Sequence, residues 1–526
     1  MDKTYPIDIY GIRKTGIEKW FNHYYIPVTG KEYYGLVNKV SSIYLSLLSN
    51  NNEMLYLIGN ANTPIIEIVS KYLLELLTLS RLKMNGYEYI VGKERVKIQE
   101  YISMCNFPSL SRMKLIGEHL NSLNYHEKIK NTFRVLMYNC ELPHLMGKKL
   151  LNSISNPHFS IGYRDQKEVV AFCKEYNISP IHLHPLLFAK KNTRLVDGFQ
   201  QLPEMGEFVN EFLSKIKESY LFVSKTAFER LKEHVVDYFR NSIILFYQNL
   251  TFMKKIDLSP LLVTGPGHPI HRIFCSAWRY AGGKVIGFTH GNSYCHVYTP
   301  KMYHELNIVD LYVTSSQGKK EIIKQAAKDF MIDHKIPNII HLKNNIYKPL
   351  FSKLQNNAPV NKVEKVMILG GLLSGYFYMD TEYHPFAFLY NDLKLIKILK
   401  KAGYYVIYKP AFHELNEIKS IFEGYVDEVI IERFEDVYNH ADCLLWSSPY
   451  STTFGFALLT NKPIVLLNVQ GYTWYTRAFE LVRKRCSVVK ADTVDGKIVF
   501  DEKDVLDAVE NSLENINYDI LHEFAF

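Results

Sequence analysis

The stretch LLWSSPYSTTFGFALLTNKPIVLLN, Leu444 to Asn468, reads as a strand, a hydroxyl-rich turn, a helix and a second strand. Two apolar runs around a helical segment are the pattern of a βαβ unit in a parallel sheet. Five hydroxyl side chains crowd the turn: Ser447, Ser448, Ser451, Thr452 and Thr453. A helix start leaves its first N–H groups without partners, and one hydroxyl suffices to cap it, here Ser451. The same N–H groups and the positive end of the helix dipole also receive phosphate. Capping with loop solubility and an anion site are both open readings. Five hydroxyls at the carboxyl end of a strand favour the anion.

Working outward, the last third repeats the alternation. VMILGG is a strand ending in paired glycines, and PFAFLYNDLKLIKILKKAG is a helix with a glycine stop. YYVIYKP and EVIIE are strands, RFEDVYNHA is a short helix, and EKDVLDAVENSLENI closes the chain as a helix. Upstream, PLLVTG, KVIGFTHG, VDLYVTSS and NIIHL are strands separated by helices. Strand–helix alternation implies right-handed crossovers and parallel sheets. The polar, proline-containing segment around 347–365 reads as a linker between two such units.

The first 250 residues are less legible. MLYLIG (54–59) reads as a buried strand and IIEIVSKYLLELL (65–77) as a helix. Residues 95–250 have mostly helical periodicity, with weak strands at VVAFC and IHLH. The expected organisation is an α/β chain of two nucleotide-binding-type units. Residues 1–345 form the first, with a helical insertion at about 95–250; 346–363 form the linker; 364–526 form the second.

Composition agrees with a globular chain of two or three domains: 526 residues, 47% hydrophobic and 22% charged. The formal charge of +8 is spread without a basic block, which fits an anionic substrate or a membrane surface and gives no argument for nucleic acid. Seven scattered cysteines without a CxxC pair read as reduced, mostly buried thiols. No signal-peptide core and no run of 18 apolar residues is present. The expectation is a cytoplasmic protein, soluble or peripheral at the inner membrane face.

Ligands of such sheets bind beyond the carboxyl ends of the strands. In the second unit those positions hold Gly370, Gly371 and Ser374, then Lys409, Pro410, His413 and Glu414, then Glu432 and Arg433, then the hydroxyl turn. Glycines permit close approach of backbone, Lys and His supply positive charge, and hydroxyls donate to phosphate oxygens. Each signal alone is ordinary: a glycine pair is usually a turn, and a lysine is usually solvated. A bound nucleotide phosphate explains them together.

With YKPAFHE and ADCLLWSSPYSTTFGFALLTNKPIVLLN in the second of two Rossmann-like units, the chain resembles the GT-B class of sugar-nucleotide glycosyltransferases. The nearest group acts on bacterial surface polysaccharides and includes sialyltransferases, Kdo transferases and the CDP-glycerol polymerases of teichoic acid synthesis. The resemblance covers roughly residues 260–480. It implies two Rossmann-like domains facing across a cleft, and a donor site at Lys409-Pro410, His413 and the cluster Ser448, Ser451, Thr452 and Thr453, with Gly370 and Gly371 beside them. GFTHGNSY resembles the strand end that faces the acceptor in related enzymes. Lys409 stands where the sialyltransferase type often has His, which leaves the donor base open among CMP, CDP, UDP and GDP.

The implied reaction displaces a nucleotide by an acceptor hydroxyl, moving a sugar such as Kdo or a nonulosonic acid to a cell-surface glycan or lipid-linked acceptor. It needs a base near the acceptor and positive charge at the leaving phosphate. His290 and His268 each follow a strand of the first unit and are the candidate bases, with Glu305 in reserve. For any one of the 19 histidines a surface or structural role is the ordinary reading. The chain contains no Asp-x-Asp pair, so no metal and no other cofactor is expected. A CDP-glycerol-type glycerophosphotransferase, a sugar-nucleotide 2-epimerase and a nucleotide-binding non-catalytic subunit of a polysaccharide assembly complex stay open.

Overall fold

The computed structural model describes residues 4–6, 9–48, 52–91, 94–96, 158–162, 166–183, 185, 198–254, 258–289, 301–330, 336–344, 346–356, 360–370, 386–410, 421–447, 449, 451–469 and 474–525. It is mixed α/β with two large, separate sheets and one small one. The small sheet joins β1 (Thr4–Pro6), β2 (Glu88–Val91) and β3 (Glu94–Val96).

The first large sheet contains β4 (Phe159–Ile161), β5 (Ile181–His182), β6 (Leu261–Thr264), β7 (Val285–Phe288), β8 (Leu311–Thr314) and β9 (Asn338–His341). Its order is β5-β4-β6-β7-β8-β9, parallel throughout. The second contains β10 (Lys365–Leu369), β11 (Tyr405–Lys409), β12 (Glu428–Val429), β13 (Cys443–Trp446), β14 (Ile464–Val469), β15 (Ser487–Val494) and β16 (Lys497–Val499). Its order is β12-β11-β10-β13-β14-β15-β16, and only the last pair is antiparallel. Chain direction across each sheet reverses once, between β4 and β6 in the first and between β10 and β13 in the second. In the second sheet this is the order of a doubly wound dinucleotide-binding fold, whose ligands bind at that reversal.

One device recurs at the amino ends of the strands. Asp310, Asp427 and Asp442 each donate a backbone N–H to the carbonyl of the residue opposite: Val285, Val406 and Lys365, at 2.9, 3.0 and 2.9 Å. Each carboxylate Oδ2 accepts the N–H of that same residue, at 2.8, 2.7 and 2.8 Å. The side chain thus continues the ladder for one rung beyond the strand and satisfies a terminal N–H.

At the carboxyl ends close approach takes over. Gly162 ends β4 at φ +91°, and a Cβ there would lie 2.3 Å from Thr264 Oγ1 and 2.4 Å from the Thr264 carbonyl oxygen. Only glycine fits both the conformation and the space.

Several expectations need correction. MLYLIG is not a strand: it lies in the helix Glu53–Ala61, capped by Asn52 Oδ1, which accepts the Leu55 N–H at 2.9 Å. VVAFC lies in the helix Lys167–Glu175, with Val169 and Phe172 on its buried face. Both runs are apolar and short, and length alone does not separate strand from buried helix. The segment 346–363, read as a linker, is structured in its first half. It carries the helix Lys348–Leu354, buries Tyr347, and is held by Tyr347 Oη to Glu168 Oε1 at 2.7 Å and Gln355 Nε2 to the Leu459 carbonyl at 2.9 Å.

The helical part includes the almost wholly buried helix Pro64–Met84 and the long helices Pro203–Ser219 and Lys225–Met253. Residues 97–157, part of the expected helical insertion, lie outside the described residues. The chain ends also cross between sheets. Trp20, Tyr24 and Ile26 share a core with the helix Ala387–Lys401 beside the second sheet, where Phe21 and Tyr24 stack on Tyr390. At the other end, Ser316 Oγ donates to the Phe524 carbonyl at 2.7 Å, tying the last helix to the first sheet. A boundary at 345/346 therefore divides the sheets but not the packing. Among the described residues no helix is long and apolar enough to cross a membrane.

Asp442→Ala should lower stability by roughly 1–3 kcal/mol, since it leaves the Lys365 N–H without its carboxylate. Urea unfolding of the two proteins checks this, and equal midpoints would show that the staple contributes nothing.

Candidate functional site

The richest polar cluster at a strand-end reversal lies where β10 and β13 diverge. Gly370 follows β10, and its N–H donates to the Lys409 carbonyl at 3.0 Å. A Cβ on Gly370 would lie 2.1 Å from the Tyr408 hydroxyl. The glycine is thus needed because the phenol of the neighbouring strand fills that space. Tyr408 stacks on Phe422 at 3.7 Å between centroids and donates its hydroxyl to Asp392 Oδ2 at 2.9 Å. Ser447, the first residue after β13, donates to Asp392 Oδ1 at 3.0 Å. One buried carboxylate therefore ties the ends of β11 and β13 together beneath Gly370.

Asp392, Tyr408 and Ser447 are all buried. Burial pushes the Asp392 carboxyl up to about 7, against the two hydroxyl bonds that favour its ionised form. The ionised form is an acceptor only, whereas the protonated form keeps acceptor capacity and adds one donor. Sequence reading passed over this residue, although its helical phase carried a signal. Phe388, Leu389, Leu395 and Ile396, three and four residues away on either side, are all buried, so Asp392 lies on the apolar face.

Above it stands the hydroxyl turn. Ser451 caps the helix Thr452–Leu458: its Oγ accepts the Thr453 N–H at 3.0 Å and donates to Thr453 Oγ1 at 2.5 Å. Thr452 is exposed and Thr453 half-buried. The capping role is therefore filled by one hydroxyl, and the others exceed what the helix requires. Edge-on rings of Phe434, Trp446, Phe454 and Phe456 hold this short helix against β13, with centroids 5.6–5.8 Å apart.

Lys409 ends β11, nearly buried, and its Nζ donates to the Pro410 carbonyl at 2.8 Å. Burial lowers its pKa, while Glu435 and Glu432 push the other way. Gly370, Lys409, Ser451, Thr452 and Thr453 thus follow adjacent strands at one edge. Gly371, His413 and Ser448 lie outside the described residues.

The first sheet holds the proposed bases. His290 lies outside the described residues. His268 is exposed at the start of the helix Pro269–Tyr280, its ring 5.1 Å from that of His271. His271 Nδ1 lies 3.3 Å from the Gly265 carbonyl and so donates to it. Glu305 is buried and accepts the Tyr312 hydroxyl at 2.5 Å, which makes it a packed structural acceptor in this state. Nothing in the sequence announced the neighbouring Arg272. It is fully buried and donates to the Ala61 carbonyl at 2.9 Å, Thr63 Oγ1 at 2.9 Å and Asn307 Oδ1 at 2.7 Å, closing the break between the helices Glu53–Ala61 and Pro64–Met84.

Among the described residues no three His, Cys, Asp or Glu side chains gather as a metal-holding group. No protein-family model matches the chain, and no curated protein matches it.

The shifted carboxyl has a direct consequence for stability. Because the folded Asp392 pKa lies above its ordinary value of 3.8, its contribution is fully present below about pH 4 and is lost as pH rises to about 7. Above that the ionised group remains buried at constant cost. The difference in unfolding free energy between wild type and Asp392→Asn should therefore change with pH across this window and level off above it. Parallel denaturation curves with a pH-independent difference would show that Asp392 does not titrate there.

Proposed function

We propose that the protein is a nucleotide-sugar-dependent glycosyltransferase of GT-B type, with the donor phosphate at the β10/β13 strand ends and the acceptor at the first sheet. One observation carries the reading: Gly370, Lys409 and the surplus hydroxyls of Thr452 and Thr453 converge on the reversal point of a parallel sheet with nucleotide-binding strand order. Hydroxyl donors and a lysine suit a phosphate that leaves with its nucleotide, and preorganised donors stabilise developing negative charge without reorganisation. In this reading the reaction is metal-independent. An acceptor hydroxyl, relieved of its proton by His290 or His268, displaces the nucleotide from a sugar, with a glycan or lipid-linked molecule as acceptor. Such an enzyme would work in the cytoplasm or at the inner membrane face.

Thermal shift with CMP, CDP, UDP and GDP tests the reading first, because a ligand at 100 times its Kd adds about 2.7 kcal/mol. No shift with any of them overturns it. Binding without transfer to any acceptor points instead to a non-catalytic subunit. Release of glycerol phosphate from CDP-glycerol would mark the phosphotransferase.

Ser451→Ala or Thr452→Ala should weaken nucleotide binding by roughly 1–3 kcal/mol while costing only about 1 kcal/mol of stability. Variants that bind normally and are merely less stable would leave capping as the turn's whole purpose.

Lys409→Ala should raise the donor KM and lower kcat, since the phosphate is present in both bound donor and leaving group. His290→Ala, if that residue is the base, should keep donor binding and lose roughly 10²–10⁴ in kcat. A Lys409 variant unchanged in both constants would remove the second sheet from the donor role.

A further inference from the structure

We propose that Asp392 is a positioning residue whose carboxyl takes up one proton when a nucleotide phosphate occupies the strand ends of β10 and β13. The ligand in this proposal rests on the donor-site reading above; the linkage rests on the buried triad of Tyr408, Asp392 and Ser447.

The count of donors and acceptors differs between the two states of the carboxyl. An ionised carboxylate only accepts, so it draws both hydroxyl protons inward, at 2.9 Å from Tyr408 and 3.0 Å from Ser447. In that state the Ser447 hydroxyl gives its proton to Asp392 rather than to the turn it begins. Once protonated, the carboxyl donates one bond, and the hydroxyl that receives it must direct its own proton elsewhere. If Ser447 is that hydroxyl, the free proton lies at the head of the turn that carries Ser451, Thr452 and Thr453. A phosphate oxygen there is an acceptor for it.

Electrostatics point the same way. Two negative groups sharing a partly buried region disfavour each other's ionisation, so a phosphate at this edge draws a proton onto the carboxyl. The groups around Asp392 do not offset this. Lys394 on its own helix is directed to the Phe500 carbonyl at 3.1 Å, and Lys409 on β11 to that of Pro410. From the amino-terminal helices Glu18 pairs with Lys397, and Tyr24 stacks on Tyr390. From the helix Glu502–Glu510, Glu502 pairs with Lys401, and at the start of β13 the buried Cys443 thiol is pushed up to about 12 and stays neutral. Among the described residues the hydrogen-bond partners of Asp392 are the two hydroxyls alone. The ordinary role of such a triad is to pack two strand ends together, and packing alone predicts no proton exchange on binding.

The test is calorimetric titration of CMP, CDP, UDP and GDP into the full chain and its Asp392→Asn variant, from about pH 6 to 9, in buffers of different ionisation enthalpy. Wild type should take up more protons than the variant above neutral pH, by up to one per nucleotide. Its affinity should fall relative to the variant's by as much as about tenfold per pH unit there. Protons taken up by both proteins belong to the nucleotide or to other groups. Without ligand, infrared titration should show a protonated-carboxyl band that disappears near neutral pH in wild type and is missing in the variant. If Asp392→Asn does not fold, Ser447→Ala serves. Losing one donor raises the carboxyl's pKa, which moves the band to higher pH and reduces the uptake.

Equal proton uptake by wild type and variant, with both binding nucleotide, overturns the linkage and leaves the donor site standing. If none of the four nucleotides binds, the donor-site reading falls and this proposal falls with it, whatever the ligand-free band shows.

Discussion

Three aspartates at the amino ends of strands set the frame on which the rest depends. Asp310, Asp427 and Asp442 each exchange two hydrogen bonds with a residue at the amino end of the neighbouring strand, once in the first sheet and twice in the second. A parallel ladder ends with N–H groups that water would otherwise have to satisfy, and a carboxylate satisfies them more strongly than a neutral acceptor. It also sets register, because a one-residue slip would separate carboxylate from amide. The amino edges are thereby committed to structure. The carboxyl edges, where helices begin, are left for chemistry.

Those edges are built differently in the two sheets. In the first, the fully buried Arg272 places a cation behind the strand ends, held by backbone carbonyls and amides at a helix break. Exposed His268 and half-buried His271 stand in front of it. In the second, a buried carboxyl is held by the hydroxyls of two strand ends, and a nearly buried lysine ends β11. Gly370 gives the plainest link between sequence and site: it is glycine because Tyr408 reaches Asp392 through the space a side chain would take.

Most strands of both large sheets were legible because fully buried parallel strands are short apolar runs, and PLLVTG, KVIGF, VMIL and CLLW are all of that kind, whereas the partly exposed β15 and β16 went unread. The same rule misread MLYLIG, a helix buried nearly all round, whose periodicity is erased when no face meets water. Strand β4 was missed: its three residues are too few for a pattern, and its partners are the two-residue β5 and, more than a hundred positions away, β6. The amino-terminal helices were missed because their apolar face is explained only by Phe386 and Tyr390, far along the chain. At the site, the glycine, the lysine and the hydroxyl turn could be read as strand-end residues. Asp392 could be found only by asking which helical face it occupied. Nothing local to Arg272 foretold its partners on a distant helix break.

Asp392 and Lys409 are opposite in charge and shifted by the same cause. Burial raises the carboxyl and lowers the ammonium, so each is pushed toward its neutral form. Glu432 and Glu435 hold the lysine's proton in place, while the carboxyl has only hydroxyls to hold its charge. Negative charge arriving at this edge acts on both groups with one sign: it favours the acid form of the carboxyl and the ammonium form of the lysine. A carboxyl that takes up a proton there removes a negative charge from the edge without moving a strand. That response costs little because the carboxyl stands above its ordinary value beforehand. A solvated aspartate at the same position would stay ionised at neutral pH, and its charge would oppose a phosphate's.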